Sequence, residues 1–208
     1  VARGKGLREE SKMDRHALYG VINEKIERPS RELVEALGRY SVRELAEVTE
    51  GRGVMNHEIK PLSADLKCAG PAVTLFGRQG DTLMIQRVGD CCEPGDVVVA
   101  DVAGVKSLSV TGERLTSYIY NVRGAAGVII DGAIRDHAGL KEMGVPIFFR
   151  GVDPKLFGAL GPGAINVQIQ AGGVIVNPGD LIVGDRDGVI CIPKEDMEAV
   201  LAALEARR

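Results

Sequence analysis

Three short apolar runs in the middle of the chain restrict its fold more than anything else in it. They are "GDVVVADVAG", "GVIIDG" and "VPIFFRG", separated by the helically spaced stretches "GERLTSYIYNVRG" and "DHAGLKEMG". Branched apolar residues without polar alternation belong to strands covered on both faces. Such strands joined by single helices are parallel crossover units, which predicts an α/β layer. Upstream, residues 13–27 and 30–40 read as helices. A third helix starts at Ser41, which stands at capping-box spacing from Glu44. "KCAGPAVTLFG" reads as a strand that Gly70-Pro71 would bend or confine to an edge, and "DTLMIQRVGD" as a short helix. From Ile165 onward, strand-like runs are broken by "AGG", "NPGD" and "DRDG", the punctuation of antiparallel β-structure; Asp185 and Asp187 are expected to shape a hairpin turn. A helix over 195–208 closes the chain.

Composition narrows the function classes. A chain of 208 residues suits one domain, and 45% hydrophobic with 26% charged residues supplies a substantial core. A net charge of -3 without a Lys/Arg block argues against a nucleic-acid partner, and 4% aromatics without Trp provide no base-stacking platform. No stretch approaches the roughly 20 apolar residues of a membrane span. "VARGKGLREESK" has no apolar run behind its basic residues, so it does not read as a signal peptide. Cys68, Cys91, Cys92 and Cys191 form no C-x-x-C pair and are expected to be buried or partly buried thiols in a reducing compartment. The expected location is the cytoplasm, with no membrane partner.

The chemistry-bearing stretch is "GVIIDGAIRD", where a buried strand ends in Arg135 beside Asp136. Sites of open α/β sheets gather at the carboxyl ends of the strands. The loop "KSLSVTG" after the preceding strand, which leads to Gly112 and "GERL", should therefore lie next to this pair. A guanidinium clamps a carboxylate, first-turn amides donate to an oxyanion, and one carboxylate can share Mg²⁺ with water and substrate oxygens. Together they suit a 2-oxo acid, which chelates a metal and develops negative charge on its keto oxygen when the bond between its third and fourth carbons breaks. The bland reading of an Arg-Asp pair is a surface ion pair of little energetic worth. His137 reads as a helix-start residue, and His16 and His57 as structural or surface residues. Lys106 lies in a polar loop unsuited to a Schiff base. Asp131 is expected to cap a turn or, failing that, to orient Arg135.

The order "PGDVVVAD", "GERL", "RGAAGVIIDGAIRD", "GVPIFFRGV" and "AGGVIVNPGDLIVGDRDGVICIP", with "GRGVMNHEIKPL" and "AGPAVTL" upstream, resembles the RraA-like family. That family contains class II 4-hydroxy-4-methyl-2-oxoglutarate / 4-carboxy-4-hydroxy-2-oxoadipate aldolases and regulators of ribonuclease E activity. The resemblance implies an α/β/β sandwich of the swivelling type, with an N-terminal helical extension (1–40), an RraA-like domain (41–195) and a C-terminal helix (196–208). It also implies a homotrimer, or a hexamer of stacked trimers. On this resemblance Arg135 binds the oxo acid and stabilises the enolate, and Asp136 holds Mg²⁺ or Mn²⁺. The amides of Gly112, Glu113, Arg114 and Leu115 take the substrate carboxylate, and Glu113 positions a catalytic water. The implied activity is a metal-dependent lyase that releases pyruvate by retro-aldol cleavage and decarboxylates oxaloacetate. The alternatives are a non-catalytic regulator of an RNA-degrading enzyme, a group in which the aspartate after the arginine is typically absent, or a related enzyme acting on another 2-oxo acid.

Two departures from the aldolases stand out. Their acid precedes the arginine by twenty intervening residues, a position held here by Arg114, with Glu113 one residue further away; one residue turns a helix by about 100°. Three positions after the metal aspartate, where the aldolases carry a further acid, this chain has Gly139.

Overall fold

The structure is a computed structural model and describes residues 20–207. In chain order, β1 (Val21–Ile22) precedes the helices α1 (Arg31–Gly38) and α2 (Val42–Val48). The strands β2 (Lys60–Pro61) and β3 (Cys68–Gly77) lead to α3 (Leu83–Val88), β4 (Val97–Asp101) and α4 (Glu113–Ser117). A π-helical turn, Tyr118–Val122, continues α4, followed by β5 (Gly127–Ile134), α5 (His137–Met143) and β6 (Ile147–Val152). Five short strands complete the β-structure: β7 (Gly163–Ile165), β8 (Ile169–Ala171), β9 (Val174–Val176), β10 (Leu181–Asp185) and β11 (Gly188–Ile192). Helix α6 (Met197–Glu205) follows.

The strands β3, β4, β5 and β6 are parallel and adjacent, with β7 and β2 added antiparallel at the two sides and β1 beside β7. Both faces of this sheet are covered, which is why its strands are apolar throughout. Along β4, Val98 and Ala100 pack with Met84, Ile85 and Val88 of α3 and Leu140 of α5. Val97 and Val99 face the opposite way, onto Ile169, Val176 and Ile182 of the antiparallel strands. The β10–β11 hairpin repeats the pattern one layer out. Its Ile182 faces the sheet, while Leu181 and Val183 face Leu37, Leu45, Met197 and Leu204 of α1, α2 and α6. Helix, sheet, hairpins and outer helices stack in that order, the α/β/β sandwich expected from the sequence. Each fully buried Leu, Ile or Phe in these layers contributes about 1.5–3 kcal/mol.

Strand β3 joins the two β layers. Its first residues, Cys68 to Pro71, pair antiparallel with β10, and from Ala72 onward it pairs parallel with β4. Gly70 stands at this change of partner, where a Cβ would lie 2.0 Å from the Gly95 carbonyl oxygen. Gly70-Pro71 therefore marks a switch between sheets, and β3 is a central strand, not an edge. The Ser41–Glu44 capping box is present at the head of α2, and Asp185 shapes the β10–β11 turn by accepting from the Asp187 amide (2.9 Å).

One expectation fails. The helix foreseen over 13–27 is absent from its described part, where Val21 and Ile22 form β1 against β7 and the chain then runs extended; residues 13–19 lie outside the described residues. The apolar spacing of Val21, Ile22 and Ile26 matched a helix face, but pairing with an open strand edge took precedence over that local preference. Arg28 anchors the extended segment through a fork onto Asp96, with Nε to Oδ1 at 2.9 Å and Nη2 to Oδ2 at 2.8 Å, and reaches Glu93 at 3.0 Å. Asp96 is 1% exposed, so Arg28→Ala leaves a buried carboxylate without its counter-ion. A loss of about 2–3 kcal/mol is expected, at the low end because Arg28 retains some solvent contact; urea denaturation measures it.

All four cysteines are buried and free. Burial pushes the thiols of Cys68 and Cys92 up to about 12 and raises those of Cys91 and Cys191. A thiol reacts as its thiolate. The native protein is therefore expected to resist Ellman's reagent at pH 8, and all four thiols are expected to titrate once it is denatured.

Candidate functional site

The loop 102–112 that leaves β4 folds back along the end of β5 as one more stretch of parallel backbone. Thr111 bridges to Ile134, the Val110 amide donates to the Ala133 carbonyl (3.1 Å) and the Arg135 amide donates to the Thr111 carbonyl (3.0 Å). Buried Thr111 and Thr116 share a hydroxyl–hydroxyl hydrogen bond of 3.1 Å, which ties the loop to the helix it enters. These contacts set Gly112 directly against Arg135 and Asp136. A Cβ at 112 would lie 2.3 Å from Asp136 Oδ2 and 2.9 Å from Arg135 Cγ, so only glycine allows the approach.

Asp136 occupies the N-cap position of α5 in a left-handed conformation (φ 59, ψ 40), which Asp tolerates better than most residues. Its side chain makes no capping bond to its own helix. Instead, Oδ2 accepts from the Glu113 amide at 3.2 Å and stands 3.7 Å from Arg135 Nε. The next amides, those of Arg114 and Leu115, belong to the first turn of α4 and have no helical carbonyl to donate to. Arg135, Asp136, Gly112, Arg114 and Leu115 together wall a cavity of about 250 Å³.

Thr111, Thr82 and Leu156 complete the wall; no spacing in the sequence pointed to the last two. Leu156 lies in the long loop 153–162 after β6, and Thr82 is the residue before α3, against which that loop rests. Asp81 holds that loop down by accepting from the amides of Leu160 and Gly161 (2.8 Å each), and the Thr82 hydroxyl donates to the Gly158 carbonyl (2.9 Å). Asp153 accepts from the amides of Lys155 and Leu108, which joins this loop to the loop 102–112 and holds its carboxyl below the usual range.

The remaining candidates fall elsewhere. Glu113 turns its side chain away from the cavity onto the first turn of α5, its Oε2 lying 2.2 Å from where a Cβ of residue 139 would be. Gly139 thus vacates the space that the Glu113 carboxylate fills. Arg114, one residue on, lines the cavity. Asp131 does not orient Arg135; it caps a turn, the one between β8 and β9, from a distance in sequence. It is buried on the opposite face of the sheet, where it pairs with Arg150 and accepts from the Gly172 amide (2.7 Å). Arg150 also reaches Glu58 (2.8 Å), to which Lys106 is ion-paired. His137 and His57 are exposed, with the His137 ring edge-on to Phe149 at 6.4 Å; His16 lies outside the described residues.

The donor set defines which metal the site could accept. Among the described residues no group of three or more His, Cys, Asp or Glu side chains could hold an ion, which does not suit a tetrahedral zinc site. The single, half-exposed Asp136 carboxylate with spare lone pairs suits Mg²⁺ or Mn²⁺, which fill their other positions with water and substrate oxygens.

The two glycines make opposite predictions. Gly112→Ala must move Asp136 and Arg135 and is expected to cost about 1–3 kcal/mol. Gly139→Ala displaces only the flexible end of Glu113 and gains about 0.8–1 kcal/mol of helix propensity, so its melting temperature is expected to hold or rise. Thermal denaturation of both variants checks the contrast.

Relatives carry the same arrangement of layers. The RraA-like family (Aldolase/RraA) matches residues 32–191. A protein of Halalkalibacterium halodurans named "Putative 4-hydroxy-4-methyl-2-oxoglutarate aldolase" is 39% identical over 157 residues, 76% of this chain and 74% of that protein. The crystal structure of Streptomyces coelicolor RraAS2, an unusual member of the RNase ES inhibitor RraA protein family, superposes with a TM-score of 0.75 at 31% identity, over 88% of this chain and 95% of the other. The RNA-processing inhibitor RraA of Thermus thermophilus superposes with a TM-score of 0.67 at 25% identity, over 74% and 93%. With its sheet order, its paired loops and these relatives, the chain belongs to the RraA-like family.

Proposed function

We propose that the protein is a divalent-metal-dependent lyase of 2-oxo acids, which cleaves a 4-hydroxy-2-oxo diacid to pyruvate and decarboxylates oxaloacetate at the same site. The observation that carries this reading is Arg135 and Asp136 side by side on one cavity wall with Gly112 pressed against both. The name of the Halalkalibacterium halodurans relative agrees with it. Arg135 holds the oxo-acid end of the substrate, and the amides of Arg114 and Leu115 assist at its carboxylate. Asp136 holds Mg²⁺ or Mn²⁺, which when bound supplies Lewis-acid polarisation of the keto oxygen.

In the aldol direction of cleavage, the bond between the third and fourth carbons breaks and its electron pair ends on the keto oxygen, where the Arg135 guanidinium offsets the charge. The hydroxyl on the fourth carbon gives up its proton, and the third carbon later takes one from water. Glu113 is the candidate for receiving that first proton through a water, after its side chain swings from Gly139 toward the cavity. Decarboxylation breaks the equivalent bond with carbon dioxide as the leaving group and needs no such acceptor. A cytoplasmic homotrimer, or a hexamer of stacked trimers, belongs to the same proposal; among the described residues no helix is long and apolar enough to cross a membrane.

The second reading, a non-catalytic regulator of an RNA-degrading enzyme, is favoured by the inhibitor names of the two solved relatives. Asp136 weighs against it. Pyruvate release from oxaloacetate separates the two. Turnover is expected with Mg²⁺, above the metal-only background, and is expected to vanish with EDTA and in Asp136→Ala. Arg135→Ala is expected to lower kcat roughly 10²–10³-fold. Stable binding to an RNA-degrading enzyme without turnover of any oxo acid would establish the regulator instead.

A further inference from the structure

On the other face of the sheet from the Arg135–Asp136 cavity lies a second cavity, of about 460 Å³, which the proposed lyase does not use. The strand register builds it. Phe76 of β3 is paired with Asp101 of β4, and Asp101 with Asp131 of β5, so the three side chains stand in one row. The row continues the face that Ala72, Val99 and Ile129 turn toward the antiparallel strands, and Arg150 of β6 ends it through its pairing with Asp131. The β8–β9 hairpin closes over the row, with the Gln170 amide donating to Asp101 (3.4 Å) and the Gly172 amide to Asp131 (2.7 Å).

The charges along this row are not all matched. Asp131 and Arg150 are buried and pair with each other; Arg150 reaches on to Glu58, and Glu58 to Lys106. Asp101 stands outside that network. Among the described residues its half-buried carboxylate accepts from the backbone amides of Ala103 (3.0 Å) and Gln170 and pairs with no cation. The cavity wall therefore carries one negative charge in excess. Next to Asp101, Phe76 is 48% exposed, and neighbouring strands stand only about 4.8 Å apart, so one ligand can meet the ring and the carboxylate together. A carboxylate without a counter-ion takes charge-assisted hydrogen bonds from a guanidinium or ammonium, and the face of an aromatic ring attracts the same cation. An anion would meet the excess negative charge, and a hydrated metal ion would leave the ring unused.

We propose that this cavity binds a small organic cation, a guanidinium or ammonium group on a short apolar stem, through the Asp101 carboxylate and the Phe76 ring. The assignment is independent of the lyase reading.

The probes are butylguanidinium and butylammonium, with butylurea as the uncharged ligand of the same shape as the first. Their affinities for the full chain are measured by calorimetry. Wild type is expected to bind at least one of the two cations, about tenfold or more tightly than butylurea, the worth of a charge-assisted hydrogen bond. Asp101→Asn, which keeps an acceptor for the Ala103 amide, is expected to abolish that preference. Phe76→Leu is expected to weaken cation binding about two- to fivefold. Asp136→Asn is expected to leave it unchanged, which separates this cavity from the one on the other face. Should Asp101→Asn fail to fold, Phe76→Leu and Asp136→Asn decide between the two cavities. Binding of neither cation, equal affinity for cation and urea, or a preference that survives in Asp101→Asn or disappears in Asp136→Asn would each overturn the assignment.

Discussion

Two backbone hydrogen bonds, Val110 to Ala133 and Arg135 to Thr111, hold the site together. They extend the parallel sheet by a few residues beyond β4 and so fix the height at which the loop 102–112 meets the end of β5. Everything chemically distinctive follows from that register. Gly112 comes to rest against Asp136, the α4 amides face the same space as the Arg135 side chain, and Asp136 is kept from capping its own helix. A slip of one residue would turn each of these side chains to the other face of the sheet.

The sheet can hold this register because it is packed on both sides. The face toward α3, α4 and α5 and the face toward the antiparallel strands are each lined by alternate residues of the same strands. Strand β3 binds the layers covalently by leaving β10 for β4 at Gly70-Pro71. The loop 153–162 is the least packed component of the site wall, with Phe157 and Leu160 largely exposed. It is kept in place by hydrogen bonds to Asp81 and Thr82, in contrast to the apolar packing that holds the strands.

Charge is distributed unevenly over the two ends of the molecule's buried polar groups. On the antiparallel side of the sheet, Asp131, Arg150, Glu58 and Lys106 form a connected network of ion pairs. On the helical side, Arg135 stands 3.7 Å from the Asp136 carboxylate, and Arg114 lines the same cavity. The same residue types thus close an ion-pair network in one place and line an open cavity in the other.

Much of this was legible in the chain. The uninterrupted apolar runs required strands buried on both faces, and the helices between them required parallel pairing. The turn residues after Ile165 required antiparallel hairpins, and Ser41 with Glu44 required a helix start. Arg135 and Asp136 stood out because a charged pair ends a buried strand. These are local or periodic signals, in which the cause lies within a few residues of the effect. What only the tertiary structure decided has its cause in distant segments. Val21 and Ile22 became a strand because β7 offers an edge. Asp131 turned to Arg150 because its position in β5 faces the antiparallel layer. Leu156 reached the cavity through a loop whose course depends on Asp81, and Thr82 because it stands at the head of α3 against that loop. Glu113 lies over Gly139 while its amide bonds Asp136, and Arg114 lines the cavity, contacts between α4 and α5 that no spacing along the sequence encodes.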